Sequence, residues 1–150
     1  MKRINLEEAV KLLVSLVICQ LAGIVGSVFN VRSIPTWYVT LDKPPFNPPN
    51  AVFAPVWIFL YLTMGFALYL VWRRGLERTE SRTALIVFIV QLVLNVLWSF
   101  FFFGLRSPLA GLAGIVLLLA AIIQTIVFFH RVSAPAAWLL VPYLAWVCFA

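Results

Sequence analysis

Five long apolar runs, at about residues 9–29, 51–72, 83–105, 108–130 and 135–150, leave this chain few folding options. A run of about 18 or more apolar residues reads as a transmembrane helix, because roughly 20 residues cross the hydrocarbon of a bilayer. Lipid offers the backbone no hydrogen-bond partner, so only helices and closed barrels satisfy it there. The runs are continuous rather than alternating, which argues against barrel strands. With 64% hydrophobic and only 11% charged residues, a water-soluble domain of this length could not hide its apolar surface. The expected fold is an all-α integral membrane protein, a single domain formed by a bundle of five transmembrane helices.

The charges refine this picture. The formal net charge is +6. In a soluble protein that would suggest nucleic acid, but here the basic residues lie between and at the ends of the runs. The positive-inside rule accounts for them, and no nucleic-acid partner is expected. Lys2, Arg3, Lys11, Arg73, Arg74, Arg78, Arg82 and Arg131 fall on the N-terminal side of the alternating spans, against Arg32, Lys43 and Arg106 on the other. The N-terminus is therefore expected in the cytoplasm, with the first loop and the C-terminus outside. Lys2 and Arg3 followed by an apolar segment resemble a signal peptide, but the segment is too long and no small-residue cleavage site follows, so the helix is read as retained.

Acid–base and metal chemistry find no foothold in the runs. The acidic residues Glu7, Glu8, Asp42, Glu77 and Glu80 all lie outside the apolar cores. A proton-coupled pump usually needs an ionisable group in the membrane. Cys19, Cys148 and His130 are scattered, so neither a metal site nor a disulfide is expected, and no cofactor is required.

Function must then rest on uncharged polar groups and aromatics. Gln91, Asn95 and Ser99 recur every fourth residue and share a helical face. Interhelical hydrogen bonding and ligand contact are both open to them. Trp57, Tyr61 and Gly65 share a face of the second run, as do Trp138, Pro142, Trp146 and Ala150 in the fifth, with Tyr143 adjoining. At 1.5 Å per residue, Asn95 and Ser99 lie about 18 and 24 Å from the cytoplasmic end, Trp57 about 21 Å, Trp146 about 16 Å and Ala150 about 22 Å. Three helices thus bring two tryptophans, an amide and a hydroxyl to one level, the composition of an apolar pocket with a few placed polar groups. The fifth run measures only about 24 Å against a hydrocarbon thickness of about 30 Å, so the chain is expected to lack a last turn or more.

Above that level lies the sequence WYVTLDKPPFNPPN at 37–50. Pro44, Pro45, Pro48 and Pro49 stiffen it and lower the entropy cost of holding it in place. Trp37 and Tyr38 could close the pocket as a lid; the other reading is an interfacial aromatic anchor followed by a rigid spacer.

Four motifs carry a resemblance. WYxxLxKPxxxPP at 37–49, PVWxxLYxxMGxA at 55–67, QLxLNxxWSxxFF at 91–103 and LLxPYLxWVxFA at 139–150 are similar, in order and spacing, to the translocator protein family, also called the tryptophan-rich sensory protein or peripheral benzodiazepine receptor family. The resemblance covers nearly the whole chain and points to a prokaryotic member. It implies five membrane helices, commonly a homodimer, and a pocket under the first loop that takes protoporphyrin IX, haem or other hydrophobic ligands beside membrane lipid. Carried over by motif match, with Tyr61 from the shared face above, the ligand-binding residues are Tyr38, Trp57, Tyr61, Asn95, Ser99, Trp146 and Ala150, with Trp37, Lys43 and Pro44 in the lid. Arg32 and Lys43 would attract ligand propionates. Some relatives are reported to degrade protoporphyrin in light, which would place Trp57 and Trp146 at the chemistry. Three functions stay open: tetrapyrrole binding for transport or sensing, a light-dependent porphyrin-degrading enzyme, and a lipid-holding regulatory scaffold. The family commonly continues beyond the last motif, and no sterol-recognition pattern is present in the fifth run. The small-xxx-small patterns Ala22/Gly26, Gly23/Ser27 and Ala110/Gly114 would suit a dimer interface or packing within one subunit.

Overall fold

A computed structural model describes residues 6–33 and 50–149, with side chains over 6–28 and 55–148. The chain forms α1 (Leu6–Ser33), α2 (Asn50–Trp72), α3 (Thr79–Ser99), α4 (Pro108–Val132), α5 (Ala134–Leu139) and α6 (Val141–Phe149). The first four contain apolar stretches long enough to cross a bilayer, and Ala134–Cys148 is a shorter apolar pair of helices. α1 packs on α2 and α3, α2 on α5, α3 on α4, and α4 on α5 and α6, which closes a ring in the order 1-2-5-4-3.

The distribution of side chains is inverted relative to a soluble bundle. Ser15, Thr63, Ser81, Gln91, Asn95, Ser99, Thr125 and Ser133 are buried, while Ile86, Val93, Leu112 and Val116 point outward and are more than half exposed. Where the surroundings are hydrocarbon, aliphatic side chains gain nothing by turning inward, whereas polar groups gain hydrogen bonds. The chain is an all-α integral membrane protein.

Local chemistry sets the helix ends. Ser107 caps α4, its Oγ accepting from the Ala110 N–H at 3.1 Å, and Pro108 follows at the first helical position, where no N–H is needed. Gly75, at φ +103°, turns the chain after α2 in a conformation that suits glycine. α3 begins at Thr79, so residues 79–82, which precede the expected third run, are helical as well. Glu80 in that first turn complements the helix dipole.

Two spans depart from straight helices. After Ser99 the chain widens into a π turn, Phe100–Gly104, closed by the Leu105 N–H to the Phe100 carbonyl at 2.8 Å. The wide turn brings two rings onto Trp98: Phe102 stacks on it at 5.5 Å and Phe103 meets it edge-on at 5.9 Å. The fifth span, expected as one helix from 135, breaks at Leu140 into α5 and α6. Pro142 is the physical cause, since it has no N–H to donate to Trp138 and its ring crowds that carbonyl.

The glycines of the dimer patterns are occupied within the chain: the Tyr61 ring lies on Gly23, Ser99 faces Gly26 and Phe101 approaches Gly114.

At the end where α1 starts and α2 stops, Glu8 pairs with Arg73 at 3.3 Å and Glu7 with Lys11 at 3.2 Å. Lys11 Nζ also sits 5.9 Å from the Trp72 ring centre.

Candidate functional site

A buried chain of hydrogen bonds joins three elements in the middle of the bundle, at the midpoint of α2 and well inside the third and fifth spans. The Tyr61 hydroxyl of α2 donates to Asn95 Oδ1 of α3 at 2.7 Å, and Asn95 Nδ2 donates to the Tyr143 hydroxyl of α6 at 2.6 Å. Asn95 is 2% exposed and Tyr143 fully buried. In such surroundings an amide without partners would be costly, and here each of its two polar atoms has one. Whichever way the amide faces, the two bonds leave one tyrosine O–H as a spare donor.

Trp57 covers this chain. Its ring lies 5.8 Å from Tyr61 in a tilted arrangement and 6.3 Å from Tyr143 edge-on. Helical spacing explains the first contact, because residues four apart share a face. The second contact is a product of packing. Trp57 is half-buried, so the cluster has one aromatic wall that other molecules can reach.

The floor on the α1 side is Gly23. A Cβ there would stand 2.7 and 2.8 Å from two atoms of the Tyr61 ring. Gly23→Ala is therefore expected to push that ring aside and strain its bond to Asn95, lowering stability by about 1–2 kcal/mol. A thermal melt in detergent would check this, with Tyr61→Phe as the companion. If the alanine variant melted as the wild type does, the seat would be looser than the contact implies.

The remaining expected site residues fall in different places. Ser99 is buried one turn above Asn95 but faces Gly26 of α1, whose added Cβ would come 3.3 Å from Ser99 Oγ. Gln91 is buried one turn below, its Nε2 4.0 Å from the Met64 sulfur, a contact of α3 with α2. Trp146 is half-buried and packs against the core, while Trp138, on the same expected face, is 69% exposed. Tyr38 and Ala150, with the lid residues Trp37, Lys43 and Pro44, lie outside the described residues.

Tyr143, expected beside the fifth-run face but not among the ligand-binding residues, is a full member of the buried chain. Its signal was available: a tyrosine in the middle of an apolar run needs a partner for its hydroxyl. The break beside Pro142 turns this residue, rather than a tryptophan, fully into the core.

A sequence profile of the TspO/MBR family matches residues 15–150. The chain is 47% identical over 133 residues to the tryptophan-rich protein TspO of Chlorobaculum tepidum, covering 89% of this chain and 84% of that protein. It is 45% identical over 140 residues to the protein of the same name from Archaeoglobus fulgidus, covering 93% and 90%. To the translocator protein of Bos taurus it is 38% identical over 131 residues, covering 87% and 78%. The profile spans the helices that supply Tyr61, Asn95 and Tyr143, and the relatives match over most of their own length. This chain belongs to the TspO/MBR family of membrane proteins.

Proposed function

We propose that this protein binds flat, largely apolar ligands, tetrapyrroles such as protoporphyrin IX or haem foremost, and serves transport or sensing across its membrane. The supporting observation is the Tyr61–Asn95–Tyr143 chain under Trp57: an aromatic wall beside a small set of fixed hydrogen-bonding groups. Such a combination suits a macrocycle whose faces are apolar and whose edge carries polar groups. The relatives' names, translocator protein and tryptophan-rich protein, agree with a membrane protein of this kind.

In this reading Ser99, Trp146 and Ala150 extend the pocket, and Tyr38, Trp37, Lys43 and Pro44 belong to a lid. The N-terminus faces the cytoplasm. The described basic side chains other than Arg106 gather at the bundle end where α1 and α3 start and α2 and α4 stop. The protein acts as a homodimer among membrane lipids, through a surface other than the glycines already covered within the chain.

The test is a protoporphyrin IX titration in detergent, in the dark, followed by tryptophan fluorescence for wild type and Trp146→Phe. Saturable quenching is expected, with at least about a fivefold weaker apparent affinity in the variant, near the loss of one aromatic contact. Linear quenching in both would overturn the tetrapyrrole reading in favour of a lipid-holding scaffold. Repeating the titration under illumination separates carrier from enzyme. Loss of porphyrin absorbance that depends on Trp57 and Trp146 would establish light-dependent degradation.

A further inference from the structure

At the opposite end from Trp57, the first turn of α3 and the last turn of α4 enclose a cleft of about 180 Å³. Its walls are Thr79, Glu80 and Thr83 from α3 and Phe128 and Arg131 from α4. The spans Thr79–Gly104 and Pro108–Val132 both end here, so the cleft sits where hydrocarbon gives way to headgroups.

Its charges are disposed in an unusual way. The Arg131 guanidinium lies over the Phe128 ring, 5.2 Å from its centre, on an exposed side chain. Among the described residues, Arg131 and Glu80 make no ion pair, although Arg73 and Lys11 nearby in the fold do. Arg82 reaches the hydroxyl of Thr79 at 3.5 Å and brings a second positive charge to the rim. The cleft thus presents the Arg131 guanidinium and two threonine hydroxyls for an anion, with Arg82 beside Thr79 and one carboxylate in the wall. A simple anion would be repelled by that carboxylate. A zwitterion whose negative and positive groups are a few bonds apart would use both signs. Below the cleft, at helical spacing from Thr83 and Arg131, Ile86 and Val127 are exposed and apolar.

We propose that this cleft binds the headgroup of a phospholipid carrying a primary ammonium, a phosphoethanolamine-type lipid of the leaflet at this end. The phosphate accepts hydrogen bonds from Arg131 and the threonine hydroxyls, with the Arg82 charge beside Thr79. The ammonium donates to Glu80. The acyl chains run along Ile86 and Val127. The lipid source follows from the position of the cleft at the ends of two spans, with an apolar track leading away from it. Glu80 also has a structural role at the start of α3, and the test separates the two roles.

The full chain, stripped of lipid in detergent, is examined by native mass spectrometry with phosphatidylethanolamine, phosphatidylcholine and phosphatidylglycerol of identical acyl chains. Wild type is expected to retain the ethanolamine lipid about fivefold over the choline lipid, whose quaternary ammonium has no N–H to donate. Glu80→Gln should bring that ratio close to one. Arg131→Gln should weaken both lipids about tenfold, whereas Arg131→Lys should weaken them less, since the charge remains. An unchanged ethanolamine-to-choline ratio in Glu80→Gln would overturn the assignment of the ammonium. A preference for phosphatidylglycerol over phosphatidylethanolamine would do the same. Equal retention in Arg131→Gln and wild type would overturn the site. Displacement of bound lipid by free phosphoethanolamine at modest excess would show that the cleft takes the soluble headgroup and not the lipid.

Discussion

Replacing Asn95 by leucine is expected to destabilise the bundle by about 2 kcal/mol, and adding Tyr61→Phe and Tyr143→Phe is expected to restore most of that loss. The single change removes two interhelical hydrogen bonds, worth about 0.6–1.7 kcal/mol each in a bilayer. It also leaves two buried hydroxyls facing an apolar side chain, where an unsatisfied group carries its full desolvation cost. The triple variant replaces every polar member of the chain, so no group is stranded, and a wholly apolar set of similar shape is often nearly neutral. Tyr61 and Tyr143 both bond to Asn95 and not to each other in the structure, so the amide is the hub. Unfolding in mixed micelles, or a thermal melt at fixed detergent, would give the three values. If the triple variant were no more stable than the single one, the amide would be acting through packing and not through its hydrogen bonds. The same variants bear on function: a triple variant that folds but no longer binds protoporphyrin IX would assign the polar chain to the ligand and not to the fold.

A second large effect is expected at Gly65 of α2, which lies against the backbone of α1. A Cβ on Gly65 would lie 2.9 Å from Leu16 Cα and 3.3 Å from Leu16 N, with Leu16 Cδ2 at 2.7 Å. A side chain can rotate away, but the backbone of a packed helix moves only with the helix. Gly65→Ala gains about 1 kcal/mol of helix propensity, yet it must separate two helices, and overpacking costs about 1–3 kcal/mol before lost contacts are counted. A net loss of about 1–2 kcal/mol is expected for alanine, and a larger one for valine. Gly114 supplies the contrast. Its added Cβ would meet the Phe101 ring at 3.1 Å and the Trp98 ring at 3.6 Å, atoms of side chains and not of a backbone. Gly114→Ala should be close to neutral, the propensity gain offsetting a small ring displacement. Parallel melting curves of the two variants would decide whether backbone contact sets the cost. Equal effects at both positions would refute that account.

The two predictions concern residues whose roles were legible to different degrees. Asn95 stood out in the sequence because an amide in the middle of an apolar run, four residues from Gln91 and from Ser99, has few reasons to be there. The structure gives the three residues different partners: Met64 for Gln91, two tyrosines for Asn95, and Gly26 for Ser99. Helical periodicity places residues on a common face, but it does not say which neighbour that face meets at each level. Gly65 was likewise visible on the face of Trp57 and Tyr61, while the helix that packs against it was not.

The number, position and helical state of the spans follow from the sequence by itself, because the bilayer leaves a long apolar run one way to satisfy its backbone. That determination is local: each run carries its own answer, and only the ends and breaks move, at Thr79, at the π turn and at Pro142. Burial of the polar stripe is legible for the same reason, since lipid penalises any other orientation. What the tertiary structure decided is partnership. The break in the fifth span, the order of helices around the ring, and the seat of Tyr61 on Gly23 together made Tyr143 the second partner of Asn95. Each of these depends on contacts between residues far apart in the chain, and so on the packing of several helices at once.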